Sequence, residues 1–241
     1  MVSLRSGLEA RGSVGALRAL LILLVTFAAA GGGARAGESA DAALDRWLEA
    51  QAGLTSWKSE FVQTRHLQAL AQPLSAPGTV WFVAPDRFRW ELGRPVRSIA
   101  LRDGSDLWML SPALKRAERY GLASVAQGPM KDALTLLDTG FPRNGAEFRK
   151  RFELLQFSGT NAAWVFRLRP RSPATRRLLP ALSLEVRTND LALVASELEF
   201  SDGSRMRNEF TASERNPSIP PDTFTPSLGP EWKVTEPASS R

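Results

Sequence analysis

Between Trp57 and Thr211, apolar and polar residues alternate at a period of two in one short run after another. Successive side chains of a strand point to opposite faces, so such a run buries one side only if it is extended. The clearest case is "GTVWFVAPDRFRWEL" (78–92), two strands broken at Pro85. Phe88, Trp90 and Leu92 point one way along its second half, and Arg87, Arg89 and Glu91 point the other. A fold made of such runs needs many neighbours in a sheet, and the turns between them are too short for helical crossovers.

The runs can be followed along the chain. "WKSEFVQTRH" (57–66), "TVWFVA" (79–84) and "RFRWEL" (87–92) come first. "SIALRDGSDLWML" (98–110) folds back at Asp103-Gly104, a dipeptide that supplies the positive φ of a tight hairpin. "LKRAERY" (114–120), "FELLQF" (152–157) and "AWVFRLRP" (163–170) follow, and residues 182–211 hold three more strands, turning at Asn189-Asp190 and Asp202-Gly203. "RSPATRRLLP" (171–180) reads as a basic connector between prolines, and "EWKV" (231–234) as an edge strand in a tail rich in Pro, Ser and Thr. Helical spacing marks residues 40–53, capped by Ser39, with Leu44, Trp47 and Leu48 on one face. It also marks 128–140, where Met130, Ala133, Leu134 and Leu137 form a stripe, and 144–151 adds a further turn. The sequence therefore predicts a mainly β protein of about ten strands, in a single, strongly curved antiparallel sheet. Such a sheet encloses more space than its own side chains fill, so the helices are either a fixed core or a removable lid.

Residues 1–36 read as a cleaved export signal. Arg5, Arg11 and Arg18 precede the apolar run "ALLILLVTFAAA" (19–30), and Ala34 and Ala36 have the spacing of a signal-peptidase site. The run is shorter than the roughly 20 residues a membrane span takes. Residues 37–241 then form one domain in the periplasm. The whole chain carries a net charge of +6, and the leader accounts for part of it through four arginines against one glutamate. The remainder is too mildly basic to suggest nucleic acid. The chain has no cysteine, which leaves no disulfide, no thiolate metal site and no lipidated anchor.

Catalytic machinery is not visible. His66 is the only histidine and falls opposite Phe61 in strand parity. There is no nucleophile elbow, no phosphate loop and no carboxylate cluster at metal-ligand spacing, so no catalytic residue, metal or cofactor is assigned. The inward aromatics, among them Trp164, Phe166 and Leu168, are either ordinary core or the wall of a ligand site.

The order of these elements resembles the periplasmic outer-membrane lipoprotein carrier family of the LolA type, over roughly residues 40–236. Its most specific parts are Pro85, Phe88 and Trp90 in a "PxxFxW" element, and Asp103, Gly104, Leu107, Trp108 and Pro112 in a "DGxxLWxxxP" element. The resemblance implies an incomplete antiparallel barrel with helices covering its opening. It implies no enzyme but a monomeric carrier that binds acyl chains of lipoproteins, or related lipids, in an apolar cavity. Such a carrier takes cargo from an inner-membrane ABC transporter to an outer-membrane acceptor lipoprotein. Phe88 matches the family's lipid-contacting Phe. The expected lipid-binding set is Phe61, Phe88, Trp90, Trp108, Leu110, Trp164 and Phe166 on strands, with Met130, Leu134 and Leu137 on the lid helix. Some carriers have an Arg just before the Pro of the first element; here it is Ala84. The alternative is a periplasmic module that senses lipids or lipoproteins without transporting them. Arg87, Arg89, Arg94 and Arg97 are expected on the outer side, either as solvated charge or as a basic docking surface.

Overall fold

The structure is a computed structural model that describes residues 39–121, 142 and 144–236. The export signal expected at 1–36 and the helix expected at 128–140 lie outside the described residues. Helix α1 (Ala40–Ala52) starts where Ser39 Oγ accepts the Ala42 N–H. Its buried face holds Ala43, Leu44, Trp47 and Leu48. Six strands follow as a meander: β1 (Ser56–His66), β2 (Leu74–Val83), β3 (Arg87–Leu92), β4 (Ser98–Arg102), β5 (Asp106–Ser111) and β6 (Arg116–Gly121). Helix α2 (Gly145–Arg151) leads into β7 (Phe152–Gly159) and β8 (Ala163–Pro170), and helix α3 (Pro173–Leu178) precedes β9 (Ala181–Arg187). Strands β10 (Leu193–Glu199), β11 (Arg205–Arg215) and β12 (Lys233–Thr235) are the last among the described residues.

All twelve strands belong to one sheet, in the order β12-β6-β5-β4-β3-β2-β1-β11-β10-β9-β8-β7. Its two ends, β12 and β7, do not pair, so the sheet is not closed into a barrel. The two meanders meet at the central β1–β11 seam, where Phe61 lies opposite Phe210. Neighbours run antiparallel except β12, which pairs parallel to β6 because the chain crosses back over the sheet before reaching it. The segment 171–180, expected to be only a connector, contains α3. Ser172 Oγ caps it by accepting the Thr175 N–H, and Pro173 suits the first turn. β2 starts earlier than its alternation suggests, and it takes in Pro77. The proline is tolerated because β3 ends opposite Gly78, so no strand partner is left for the missing N–H.

One face of the sheet is mostly apolar in both halves. Over β7–β10 it carries Phe152, Trp164, Phe166, Leu168, Leu182, Leu184 and Val186, sealed under α1 and Phe148 of α2. Over β1–β5 it carries Trp57, Phe61, Val80, Phe82, Phe88 and Leu107, with Trp90, Leu92 and Phe210 partly buried beside them. The opposite face differs between the two halves. Over β8–β11 it is polar, with ion pairs that reach across an intervening strand, Arg167 to Glu199 at 2.8 Å and Arg207 to Glu185 at 2.9 Å. Over β4–β6 it is apolar again, with Ile99, Leu101, Leu110 and Ala117 covered by Leu228 and Trp232 of the C-terminal segment.

Candidate binding face

The aromatic cluster on β1, β3 and β11 owes its geometry to a glycine. Gly78 lies opposite Phe61, and a Cβ there would overlap the Phe61 ring and the Glu91 carbonyl oxygen. With no side chain in the way, the Phe61 ring lies across β2 and reaches Trp90 on β3, with centroids 4.2 Å apart at 44°. Phe210 meets both rings, at 6.1 Å from Phe61 and 6.3 Å from Trp90, and Trp57 packs edge-on to Phe210 at 5.2 Å. Phe88 is buried in the same cluster, opposite Phe82 on β2. The next strand places Arg102 opposite Phe88, where it is paired with Asp86 at 3.3 Å. At the border of the cluster Tyr120 donates to Glu118 at 2.7 Å. That hydrogen bond, with burial and the nearby carboxylate charge, pushes the phenol up to about 12.

The structure thus brings Phe61, Phe88 and Trp90 together, and Phe210, not singled out from the sequence, joins them. It separates the other expected residues. Trp164 and Phe166 share the face but lie in the half sealed by α1, where Phe166 packs against Trp47 at 6.2 Å. Trp108 and Leu110 lie on the opposite face of the sheet from Phe61, Phe88 and Trp90. Strand register pairs them with Leu101 and Ile99, so they lie under the C-terminal segment while Leu107 takes the place on the aromatic face. Met130, Leu134 and Leu137 lie outside the described residues. Ala84 packs against the edge of the aromatic cluster. His66 is exposed at the end of β1 and pairs with Arg205 in register.

The expected basic surface is also different in fact. Arg87 lies over the buried Phe224 ring at 5.4 Å. Arg89 is held between Glu91 at 2.7 Å and the Thr223 carbonyl at 3.1 Å, and only 19% of its side chain is exposed. Arg94 is exposed but paired with Glu60 at 2.9 Å. Parity correctly puts Arg87 and Arg89 away from Phe88, yet what they meet is the C-terminal segment.

Two features were not foreseen. Gln63, Asn208 and Ser196 form a polar row on the apolar face, one pleat beyond Phe61 and Phe210. A groove of about 480 Å³ runs between α1, α2 and β7, floored by Leu44, Phe148, Phe152, Leu154 and Phe157. Its rim holds Arg149, which bonds Asp45 at 2.7 Å and Asp41 at 2.9 Å. These bonds, the Asp45 one foremost, raise the guanidinium pKa further above its usual value despite partial burial.

The sheet is open and carries a broad aromatic face, and no cluster of metal-ligating side chains lies among the described residues. The family model "Outer membrane lipoprotein carrier protein LolA" matches residues 52–227, and the chain belongs to that family. An outer-membrane lipoprotein carrier protein of Methylibium petroleiphilum is 27% identical over 71% of this chain and 79% of its own. One from Dechloromonas aromatica is 28% identical over 71% of this chain and 78% of its own. Among solved structures, an uncharacterised conserved protein of Thermus thermophilus has the same fold, with a TM-score of 0.50 at 11% identity, over 83% of this chain and all of that one.

Proposed function

We propose that this protein binds the acyl chains of lipoproteins, or of related lipids, on the aromatic face around Phe61, Phe88 and Trp90. In this reading it works in the periplasm and shuttles cargo from the inner to the outer membrane. It loads from an inner-membrane ABC transporter and unloads to an outer-membrane acceptor lipoprotein. The observation that carries the reading is the incomplete burial of Trp90, Leu92 and Phe210 in an otherwise buried aromatic cluster, in a chain of the carrier family.

The physical need is simple. Exposing one methylene to water costs about 0.8 kcal/mol, so a chain of about 15 costs roughly 12 kcal/mol. An apolar wall removes that cost without any reaction. Delivery also requires that binding stay weak enough to reverse, and a sheet that is not closed into a barrel suits this.

The test has two arms. Organic extracts of the purified protein are analysed by mass spectrometry, and a fluorescent apolar dye is displaced with a lipopeptide. Co-purified acyl species and competitive displacement support the reading; the absence of both refutes it. Depletion of the protein in cells then separates transport from sensing, because only a carrier strands lipoproteins in the inner membrane.

A further inference from the structure

The polar row on the apolar face has its own chemistry. Gln63 Nε2 donates to Asn208 Oδ1 at 3.0 Å, and Asn208 Nδ2 donates to Ser196 Oγ at 3.2 Å. Gln63 is 7% exposed and Asn208 4%, while Ser196 is half-buried. The three side chains occupy directly opposed positions on β1, β11 and β10. All three are neutral, so the row carries no charge into the apolar face. Buried amides are costly unless hydrogen-bonded, and an apolar side chain at these places would pack without that demand.

The row is also oriented. Each donor points the same way across the strands, from Gln63 through Asn208 to Ser196. This leaves the Ser196 hydroxyl proton and one N–H each of Gln63 and Asn208 to donate, and Gln63 Oε1 to accept. Along β1 the same face reads Phe61, Gln63, Arg65, from buried ring to buried amide to exposed cation. Each step is about 6.8 Å, two residues of an antiparallel strand. A chain lying on Phe210, the partly buried ring directly opposite Phe61, with its polar end toward solvent would carry its first carbonyl past Asn208 and Gln63.

We infer that Gln63, Asn208 and Ser196 form a subsite for the neutral carbonyl, ester or amide, that joins an acyl chain to its polar head. The inference rests on the acyl-binding reading and adds to it a direction, tail over Phe210 and head toward Arg65.

The test compares two pyrene-tagged chains of equal length, one ending in a methyl group and the other in a methyl ester. One or two neutral hydrogen bonds predict that the native protein prefers the ester by roughly threefold to tenfold. Gln63→Met with Asn208→Leu should abolish the preference and leave the hydrocarbon affinity within about twofold. Ser196→Ala, a smaller change at a half-buried place, should reduce the preference without disturbing the amide pair. Equal affinity of the native protein for both chains overturns the subsite while leaving acyl binding intact. An equal loss of both chains in the folded variants also overturns it, because that is a packing effect. If the native protein binds neither chain, the acyl-binding reading and the subsite fall together.

Discussion

Gly78→Ala tests whether the aromatic face is shaped by the close approach of Phe61. Gly78 does not have positive φ, so alanine suits its backbone, and the lower entropy of the unfolded chain would favour the variant by about 0.5–1 kcal/mol. Against this stands the overlap of the new methyl with the Phe61 ring and the Glu91 carbonyl. Overpacking of this kind costs about 1–3 kcal/mol. Moving the ring also breaks its 4.2 Å contact with Trp90, which adds about 0.5–1.5 kcal/mol. The net expectation is a loss of about 2 kcal/mol, read by equilibrium urea unfolding, with a drop in Tm of about 4–8 °C for a domain of this size. The same substitution in a Phe61→Ala background should cost about 1 kcal/mol less, because the ring is no longer there to be displaced. A loss below about 0.5 kcal/mol in the native background, or the same loss in both, would refute the reasoning.

Three other outcomes are expected. Phe88→Glu should keep the fold and abolish apolar-dye binding, since Arg102 directly opposite can pair with the introduced carboxylate; a variant that stays folded by circular dichroism and binds dye normally contradicts the assignment. Trp232→Ala should release the C-terminal segment, shown by faster proteolytic cleavage beyond residue 219 with dye binding unchanged, because Trp232 packs on the opposite face from Phe88. Asp103→Asn should change the acid stability. Burial raises the Asp103 pKa, but the N–H groups of Asp106 and Ser105, the Ser105 hydroxyl and the Trp108 indole outweigh it, and the pKa ends below its usual 3.8. A depressed carboxylate stabilises the fold above pH 3.8 and loses that contribution as pH falls through its folded value, so the native protein's advantage over the variant should shrink below pH 3.8. An advantage independent of pH would argue that charge has no part in it.

Much of the fold is legible from alternation alone. β3 and β8 begin and end where their runs do, α1 starts at its Ser39 cap, and the β4–β5 hairpin turns at Asp103-Gly104. The shared face of Phe88 and Trp90 was legible for the same reason: each has charged neighbours on both sides, whereas Phe61 stands between Glu60 and an exposed Val62 and is placed by its spacing from Gln63 and Arg65. Trp108 and Leu110 were not legible. In "DLWML" apolar residues occupy both parities, and alternation cannot say which side meets the aromatic face when a distant segment covers the other. That segment, with Phe224 and Trp232, comes from a stretch whose prolines suggest only a loose tail. α3 escaped because six residues show no helical stripe, and the parallel pairing of β12 depends on a crossover that local sequence does not encode. The Gln63–Asn208–Ser196 row was within reach of parity, since Gln63 follows Phe61 by two and Asn208 precedes Phe210 by two.

The β1–β11 seam bears on how such a chain is made. Gln63 and Asn208, which bond across it, are separated by 145 residues. A ribosome releases the first meander long before it has made the strand that borders it. Until then β1 offers one bare edge and half an aromatic cluster to whatever is nearby, and such an unpaired edge invites wrong pairing. Pairing over such a distance is also slow to nucleate, because the loop must close before its contacts stabilise it. The middle of the finished sheet therefore waits for one of the last strands to be made, and a chain truncated before residue 205 lacks a central strand and not merely its end.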